Sequence, residues 1–341
     1  EAGLGAFGHR AARRMLARVL DRRFQVLEFA ARHPEALAPE IEDPVFVAGL
    51  PRTGTTLLFN LLAQDARMRP LLGWEAFFAV PPRPGHKDRR RARHRRQVRA
   101  IDWILPDLKR VHPLDADGPE ECIPLLLRTF VTSAWTLYAH VPSYRAWLAA
   151  QPPEVLDETY RLHPLQLRTH QGPGPDGRRW LLKSPAHLKG LAALLRIYPD
   201  ARVVRTHRDL AHVVPSACSL LAVFRALLVG RVDPFRLGRE ALALGRDTLE
   251  HLTAVGEGEA AGRIVDVEYD DLVSDPFGAV VSIQGRLGRR VSPAMEAAMR
   301  RWLADHPRHR HGVHRYSLEA FGITPEEIAA LEAEAKRVER A

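Results

Sequence analysis

Gly49 and Gly54 flank Leu50-Pro51-Arg52-Thr53 and are followed by Thr55 and Thr56. That separation is the one found in phosphate-binding loops, where bare backbone N–H groups and a helix N-terminus surround an anion. A Walker A loop also needs a lysine before its final hydroxyl residue to reach the outer phosphates, and Thr55 stands in that place. No apolar strand ends in a metal-holding aspartate either, since Val203-Val204 runs into Arg205. Arg52 instead supplies a permanently charged, bidentate donor beside the anion, with Thr55 and Thr56 as hydroxyl donors. Charge can then be neutralised without a divalent cation.

A second anion site is expected at Arg208 and Ser216, eight residues apart across a strand end and the helix after it. Two anion sites on neighbouring parallel strands suit a nucleotide phosphorylated at both ends of its ribose. Glu75 lies among Trp74, Phe77 and Phe78, where partial desolvation would raise its pKa toward a value useful for proton transfer. Glu120 and Glu121 form a further carboxylate pair, suited to orienting an acceptor. Four histidines lie between His306 and His314, but without a nearby carboxylate or cysteine set they do not make a metal site.

The elements that must position these groups are legible in the periodicity. Apolar residues from Ala12 to Ala30 recur at helical spacing, predicting a helix over residues 9–33. Pro44 precedes the apolar run Val45-Phe46-Val47-Ala48, then the glycine loop, then a helical pattern over 57–62. A second unit starts at Trp180-Leu181-Leu182-Lys183, passes through a helix over 187–198 and reaches a strand at 201–205. Two strands separated by a helix of this length imply a βαβ crossover in a parallel sheet. A last strand is expected over 264–269, and residues 100–170 read mostly as helices rich in aromatics, suited to walling an acceptor pocket. The expected fold is therefore α/β, a P-loop-like three-layer sandwich with a central parallel sheet and helical insertions.

Five motifs occur in order between about residues 44 and 330: Pro51-Arg52-Thr53-Gly54-Thr55-Thr56; Leu182-Lys183-Ser184-Pro185-Ala186-His187-Leu188; Thr206-His207-Arg208-Asp209 through Ser216; Glu268-Tyr269-Asp270-Asp271-Leu272; and Tyr316-Ser317-Leu318-Glu319-Ala320-Phe321-Gly322. As a set they resemble the bacterial sulfotransferase family related to tyrosylprotein sulfotransferases. The resemblance implies transfer of the sulfuryl group of 3′-phosphoadenosine 5′-phosphosulfate to an acceptor hydroxyl, releasing adenosine 3′,5′-diphosphate, with no metal. It puts Arg52, Thr53, Gly54, Thr55 and Thr56 around the 5′-phosphosulfate and Arg208 with Ser216 on the 3′-phosphate. Tyr269 falls near the adenine, and Arg310, His311 or Arg315 falls in a loop closing over the nucleotide. Lys183 would stabilise the departing oxygen, and Glu75 matches the position of a catalytic glutamate in relatives. Because other sulfotransferases use histidine, His187 and His112 stand as alternative bases. The implied organisation is an N-terminal helical segment (1–43), a catalytic domain (44–330) with an acceptor-side insertion over about 76–170, and the end of a C-terminal helix (331–341).

Composition sets outer bounds. With 341 residues and 46% apolar content the chain can bury one large α/β core. Cys122 and Cys218 are far apart, which suggests neither a disulfide framework nor a zinc site and fits a reducing, cytoplasmic compartment. No uninterrupted apolar stretch is long enough for a transmembrane segment, and the arginine-studded N-terminus reads as an amphipathic surface helix. The net charge of +9 favours anionic partners, with a dense run from Lys87 through Arg89 to Arg99. A P-loop kinase would explain the glycine loop but lacks its lysine and metal ligands. A nucleic-acid-binding protein would explain the arginine run but shows no recognition motif. The acceptor is expected to be a hydrophobic small molecule, phenol or lipid bearing a hydroxyl; the sequence leaves the oligomeric state open.

Overall fold

Strand order in a parallel sheet decides where loops converge, and here four apolar runs and one short edge segment set it. The computed structural model describes residues 2–83, 85–104, 106, 108, 114–171, 177–253, 255, 262–307 and 317–340. Strands β1 (Val45–Gly49), β2 (Met68–Pro70), β3 (Arg179–Lys183), β4 (Arg202–His207) and β5 (Ile264–Glu268) form one sheet in the order β2-β3-β1-β4-β5. Every pairing is parallel, with Val47 opposite Lys183 and Gly49 opposite Thr206. β1 is central and buried along its whole length. The chain leaves β1 toward β2 and β3, then crosses to β4 and β5, so the direction of winding reverses at β1. Outside the carboxyl end of such a strand a crevice opens between loops that run to opposite sides.

The two-residue alternation of β1 divides the core. Val45 and Val47 face a layer made by helices α2 (Thr55–Leu62), α11 (Pro276–Arg286) and α12 (Pro293–Asp305). Phe46 and Ala48 face the opposite layer, built from α5 (Ile123–Leu127), α6 (Pro153–Gln171) and α7 (Leu191–Ile197). This is the three-layer sandwich with a central parallel sheet that the sequence predicts. α1 (Ala6–Arg32) packs beside α6 and against α8 (Leu210–Val229). A third apolar cluster joins α8 to α9 (Pro234–Thr253) and α13 (Pro325–Arg340).

Two features differ from expectation. β2 contains Pro70, lacks apolar alternation and sits at the sheet edge, where a missing N–H is tolerated. Three residues carry too little pattern to announce a strand. α8 is long and apolar enough to cross a membrane, although His212, Pro215 and Arg225 interrupt it. Its apolar residues pack on α9 and α13, and its buried Arg225 is held by Glu240 at 2.7 and 2.8 Å, which marks it as a core helix.

At Gly49 the fold leaves no room for a side chain. A Cβ there would fall against Thr206 Oγ1 and 2.7 Å from Thr53 Oγ1, the pair whose hydroxyls meet at 2.6 Å to tie the loop to β4. Gly49→Ala is expected to cost about 1–3 kcal/mol by overpacking, read as a lower urea midpoint with an unchanged slope.

Candidate active site

The loop after β1 and the ends of β3, β4 and β5 share one edge of the sheet because every strand points the same way. Arg52 adopts φ 75°, a left-handed conformation costly for a residue with a Cβ, and Gly54 follows at φ 86° as the residue preceding α2. This pair of positive φ values turns the loop sharply at the entrance of α2, whose first N–H groups have no partner within the helix. Thr53 Oγ1 donates to Leu50 O at 2.7 Å, closing the loop on itself. Thr55 is the first residue of α2, and Thr56 is exposed.

Lys183 ends β3 and is almost wholly buried. Its Nζ donates to Thr56 Oγ1 at 3.1 Å and pairs with Glu121 Oε1 at 2.8 Å. An ammonium carries three N–H donors, so one remains directed by neither partner. Glu121 is placed by main-chain stitching on both sides: Glu120 N donates to Leu71 O at 2.7 Å and Cys122 N to Lys183 O at 2.8 Å. The segment thus lies across the ends of β2 and β3 and carries its carboxylate onto Lys183. The sequence pointed to Glu121 as half of a carboxylate pair; its pairing with Lys183 needs contacts 62 residues apart in the chain, which no local pattern encodes.

Glu75 does not join this group. It is buried on α3 (Gly73–Phe77), where Oε1 accepts from Arg69 at 3.0 Å and Oε2 from the Leu72 N–H at 3.1 Å. Burial raises its pKa, as expected from the aromatic neighbours, against the opposing pull of Arg69. Both oxygens are nevertheless committed to structure, and Glu75 is absent from the cavity wall that Glu121 lines. His187 is also buried, its Nδ1 against the Tyr160 hydroxyl at 2.9 Å, and lines no part of that wall. His112, Arg310, His311 and Arg315 lie outside the described residues.

At the ends of β4 and β5, Arg208 and Tyr269 come together. The guanidinium lies 3.9 Å from the centroid of the Tyr269 ring and donates to Arg52 O at 3.0 Å. Tyr269 also covers Gly54, where a Cβ would sit 3.1 Å from its ring. It is a half-buried wall residue, not core. Ser216 is buried on α8 and does not line the cavity, while its neighbours Val214 and Ala217 do.

The cavity that these groups border holds about 1000 Å³. One end carries Arg52, Thr55, Thr56, Glu121, Arg208 and Tyr269; the other is apolar, walled by Val214, Leu221 and Phe224 of α8, Leu244 of α9 and Leu331 of α13. The aromatic-rich segment 100–170, expected to supply that wall, contributes mainly Ile123, Ala134 and Leu137. Its Trp135 packs with Phe130 and Tyr138, and Trp103 points outward. The arginine run forms helix α4 (Arg90–Ile104), in which Arg91 and Arg95 pair with Asp117 at 2.5 and 2.7 Å and Arg90 stacks over Trp74.

Burial pushes Glu120 up to about 7, the Glu121 N–H opposing and the Glu121 charge adding. A carboxyl raised in this way holds its proton in the folded chain after the unfolded chain has lost it. Stability therefore falls as pH rises from the ordinary carboxyl range to about 7. Urea midpoints at pH 5 and pH 8 should differ more for the wild type than for Glu120→Gln; equal differences would remove Glu120 as the cause.

The geometry has counterparts among known proteins. A family model described as the sulfotransferase family matches residues 44–293. The structure superposes on the crystal structure of sulfotransferase STF9 from Mycobacterium avium with TM-score 0.85 and 29% identity, covering 98% of this chain and 86% of that one. For sulfotransferase STF1 from Mycobacterium tuberculosis H37Rv the values are 0.77 and 30%, over 98% and 87%. In sequence, it is 25% identical over 314 residues to the omega-hydroxy-beta-dihydromenaquinone-9 sulfotransferase Stf3 of Mycobacterium bovis, covering 89% of this chain and 77% of that protein. A glycine loop without the Walker lysine, a buried lysine beside it and a family match over most of the chain agree: this protein belongs to the sulfotransferase family.

Proposed function

We propose that the chain moves the sulfuryl group of 3′-phosphoadenosine 5′-phosphosulfate to the hydroxyl of a long, apolar, lipid-like acceptor. One observation carries this reading. A single cavity carries Arg52, Thr55, Thr56 and Arg208 on one part of its wall and apolar side chains on another, and it is lined by Glu121, whose partner Lys183 lies just behind that wall. The loop fits the donor: Arg52, Gly54, Thr55 and Thr56 all line the cavity, and Arg52, Thr55 and Thr56 offer donors there. Arg208 lies one strand away and Tyr269 two, and we assign them to the 3′-phosphate and adenine end, with Ser216 requiring a shift of α8 to take part. The apolar end, as long helices line it, supports an acceptor with an extended hydrocarbon part; Stf3, by its name, acts on a menaquinone derivative.

In the transfer, the acceptor oxygen forms a bond to sulfur as the bond from sulfur to the nucleotide phosphate breaks. Catalysis of such an in-line displacement is mostly positioning and charge stabilisation. Lys183 and the hydroxyl of Thr56 stabilise the charge that grows on the departing phosphate oxygen. We assign the acceptor proton to the Glu121 carboxylate, in place of Glu75, because Glu121 borders the cavity and both Glu75 oxygens are bonded elsewhere. Two buried cysteines far apart in the chain support a reducing, cytoplasmic setting. The five ordered motifs support the kinship with tyrosylprotein sulfotransferases.

Titration calorimetry with adenosine 3′,5′-diphosphate in the presence of a chelator tests the donor. A panel of hydroxylated isoprenoids, phenols and sugars with labelled donor tests the acceptor. Heat of binding without divalent cations and label in the isoprenoid arm are expected; no heat, or label confined to sugars, would defeat the reading.

A further inference from the structure

Cys122, His163 and His187 form a cluster that sulfuryl transfer does not use and that lines no part of the cavity. They arrive from three elements: the segment after Glu121, helix α6, and the 3₁₀ turn Pro185–His187 that follows β3. All three are completely buried, and one donor atom of each lies within 4.8 Å of the others. Both imidazoles are held by phenols, with His187 Nδ1 2.9 Å from Tyr160 Oη and His163 Nδ1 2.7 Å from Tyr198 Oη. Their Nε2 atoms have no hydrogen-bond partner among the described residues. Leaving one such buried nitrogen unsatisfied costs about 1–3 kcal/mol, and this cluster leaves two beside a thiol. The Phe46 ring closes the site, 5.1 Å from His187 and 6.1 Å from His163.

We propose that Cys122 Sγ and the Nε2 atoms of His163 and His187 bind one monovalent copper ion, which clamps the Glu121 segment to α6 and to the turn after β3. Chemistry and charge select the ion. Thiolate is a soft ligand that favours Cu⁺, and imidazole suits copper equally. One thiolate, two neutral imidazoles and Cu⁺ sum to zero charge, whereas Zn²⁺ would leave a buried positive charge with its desolvation cost. Zinc also takes four ligands, and among the described residues no fourth histidine, cysteine or carboxylate joins the group.

The tyrosines act as orienting groups. With Nδ1–H donating to the phenol oxygen, each ring presents its Nε2 lone pair to the site. On binding, the Cu–S bond forms as the thiol proton leaves to solvent. Bonds of about 2.0–2.3 Å place three donors around one ion at separations under about 4 Å, which small side-chain rotations can reach. Because the Cys122 N–H donates to Lys183 O, the clamp would also steady the Lys183–Glu121 pair. The proposal does not depend on the identity of donor or acceptor.

The full chain, unfolded with reductant and refolded anaerobically with Cu⁺ buffered by bicinchoninate, tests it. About one copper per chain should survive desalting, with an absorption edge of Cu⁺ and scattering from one sulfur and two nitrogens. Cys122→Ser and His163→Gln should each lose the ion. If either variant fails to fold, the X-ray absorption of the wild type decides. Substoichiometric copper, a shell without sulfur, or retention of Zn²⁺ over Cu⁺ when both are offered would overturn the assignment.

Discussion

Lys183→Ala should lower the single-turnover rate of sulfuryl transfer by about 10²–10³-fold while leaving the affinity for adenosine 3′,5′-diphosphate within about an order of magnitude. The asymmetry follows from where the ammonium sits. It is buried at the end of β3, bonded to Thr56 and Glu121, and screened little by water. A charge so placed acts most strongly on the negative charge that appears only as the phosphate departs. In the proposed reading the loop N–H groups, Arg52 and Arg208 hold the nucleotide without it. Labelled donor in rapid-quench experiments, with calorimetry beside it, separates the two effects. Unchanged turnover would exclude Lys183 from the reaction. An equal loss in both would make it a binding residue only.

Glu121→Gln and Glu75→Gln are expected to fail in different ways. Removing the proposed base at residue 121 should cost about 10²–10⁴-fold in turnover even where the variant is fully folded, and because the buried Lys183 loses its counter-charge the thermal midpoint should fall as well. At residue 75 the amide breaks a buried ion pair with Arg69, whose guanidinium also stacks 4.0 Å from the Trp180 ring centroid and donates to His170 O. Breaking such a pair costs about 3–5 kcal/mol, so Glu75→Gln should unfold early yet turn over substrate normally at low temperature. Urea melts and initial rates on the two variants decide between the carboxylates. Should the outcomes be exchanged, the base returns to Glu75.

What the sequence made legible, and what it hid, divides along the range of the interactions. β1 and β3 are legible as buried runs of consecutive apolar residues, β4 by its Val203-Val204 pair and β5 by valines that alternate with Asp266 and Glu268. The glycine loop was readable because its chemistry is contained within eight residues, 49–56. Arg208 and Tyr269 could be named, but their stacking could not, since it depends on the β4–β5 register. Glu75 is ambiguous in the sequence because its apolar neighbours signal desolvation equally well for a base and for a buried ion pair. The apolar wall was sought among aromatics in 100–170; α8 and α9 supply it, and their faces divide between core and cavity in a way that periodicity alone does not assign.

That division of α8 limits how the enzyme can change. Leu221 belongs both to the third hydrophobic cluster and to the lining of the cavity, as do Val213 and Val214 beside it. Enlarging the chamber for a bulkier alcohol by trimming any of them would loosen the scaffold in the same stroke. New acceptor preferences should therefore emerge at Phe224 and Leu244 first, which border the space from outside the cluster's most enclosed positions. Divergence of such enzymes would then be channelled through a few tolerant sites while the rest of the chamber stays fixed by the demands of folding.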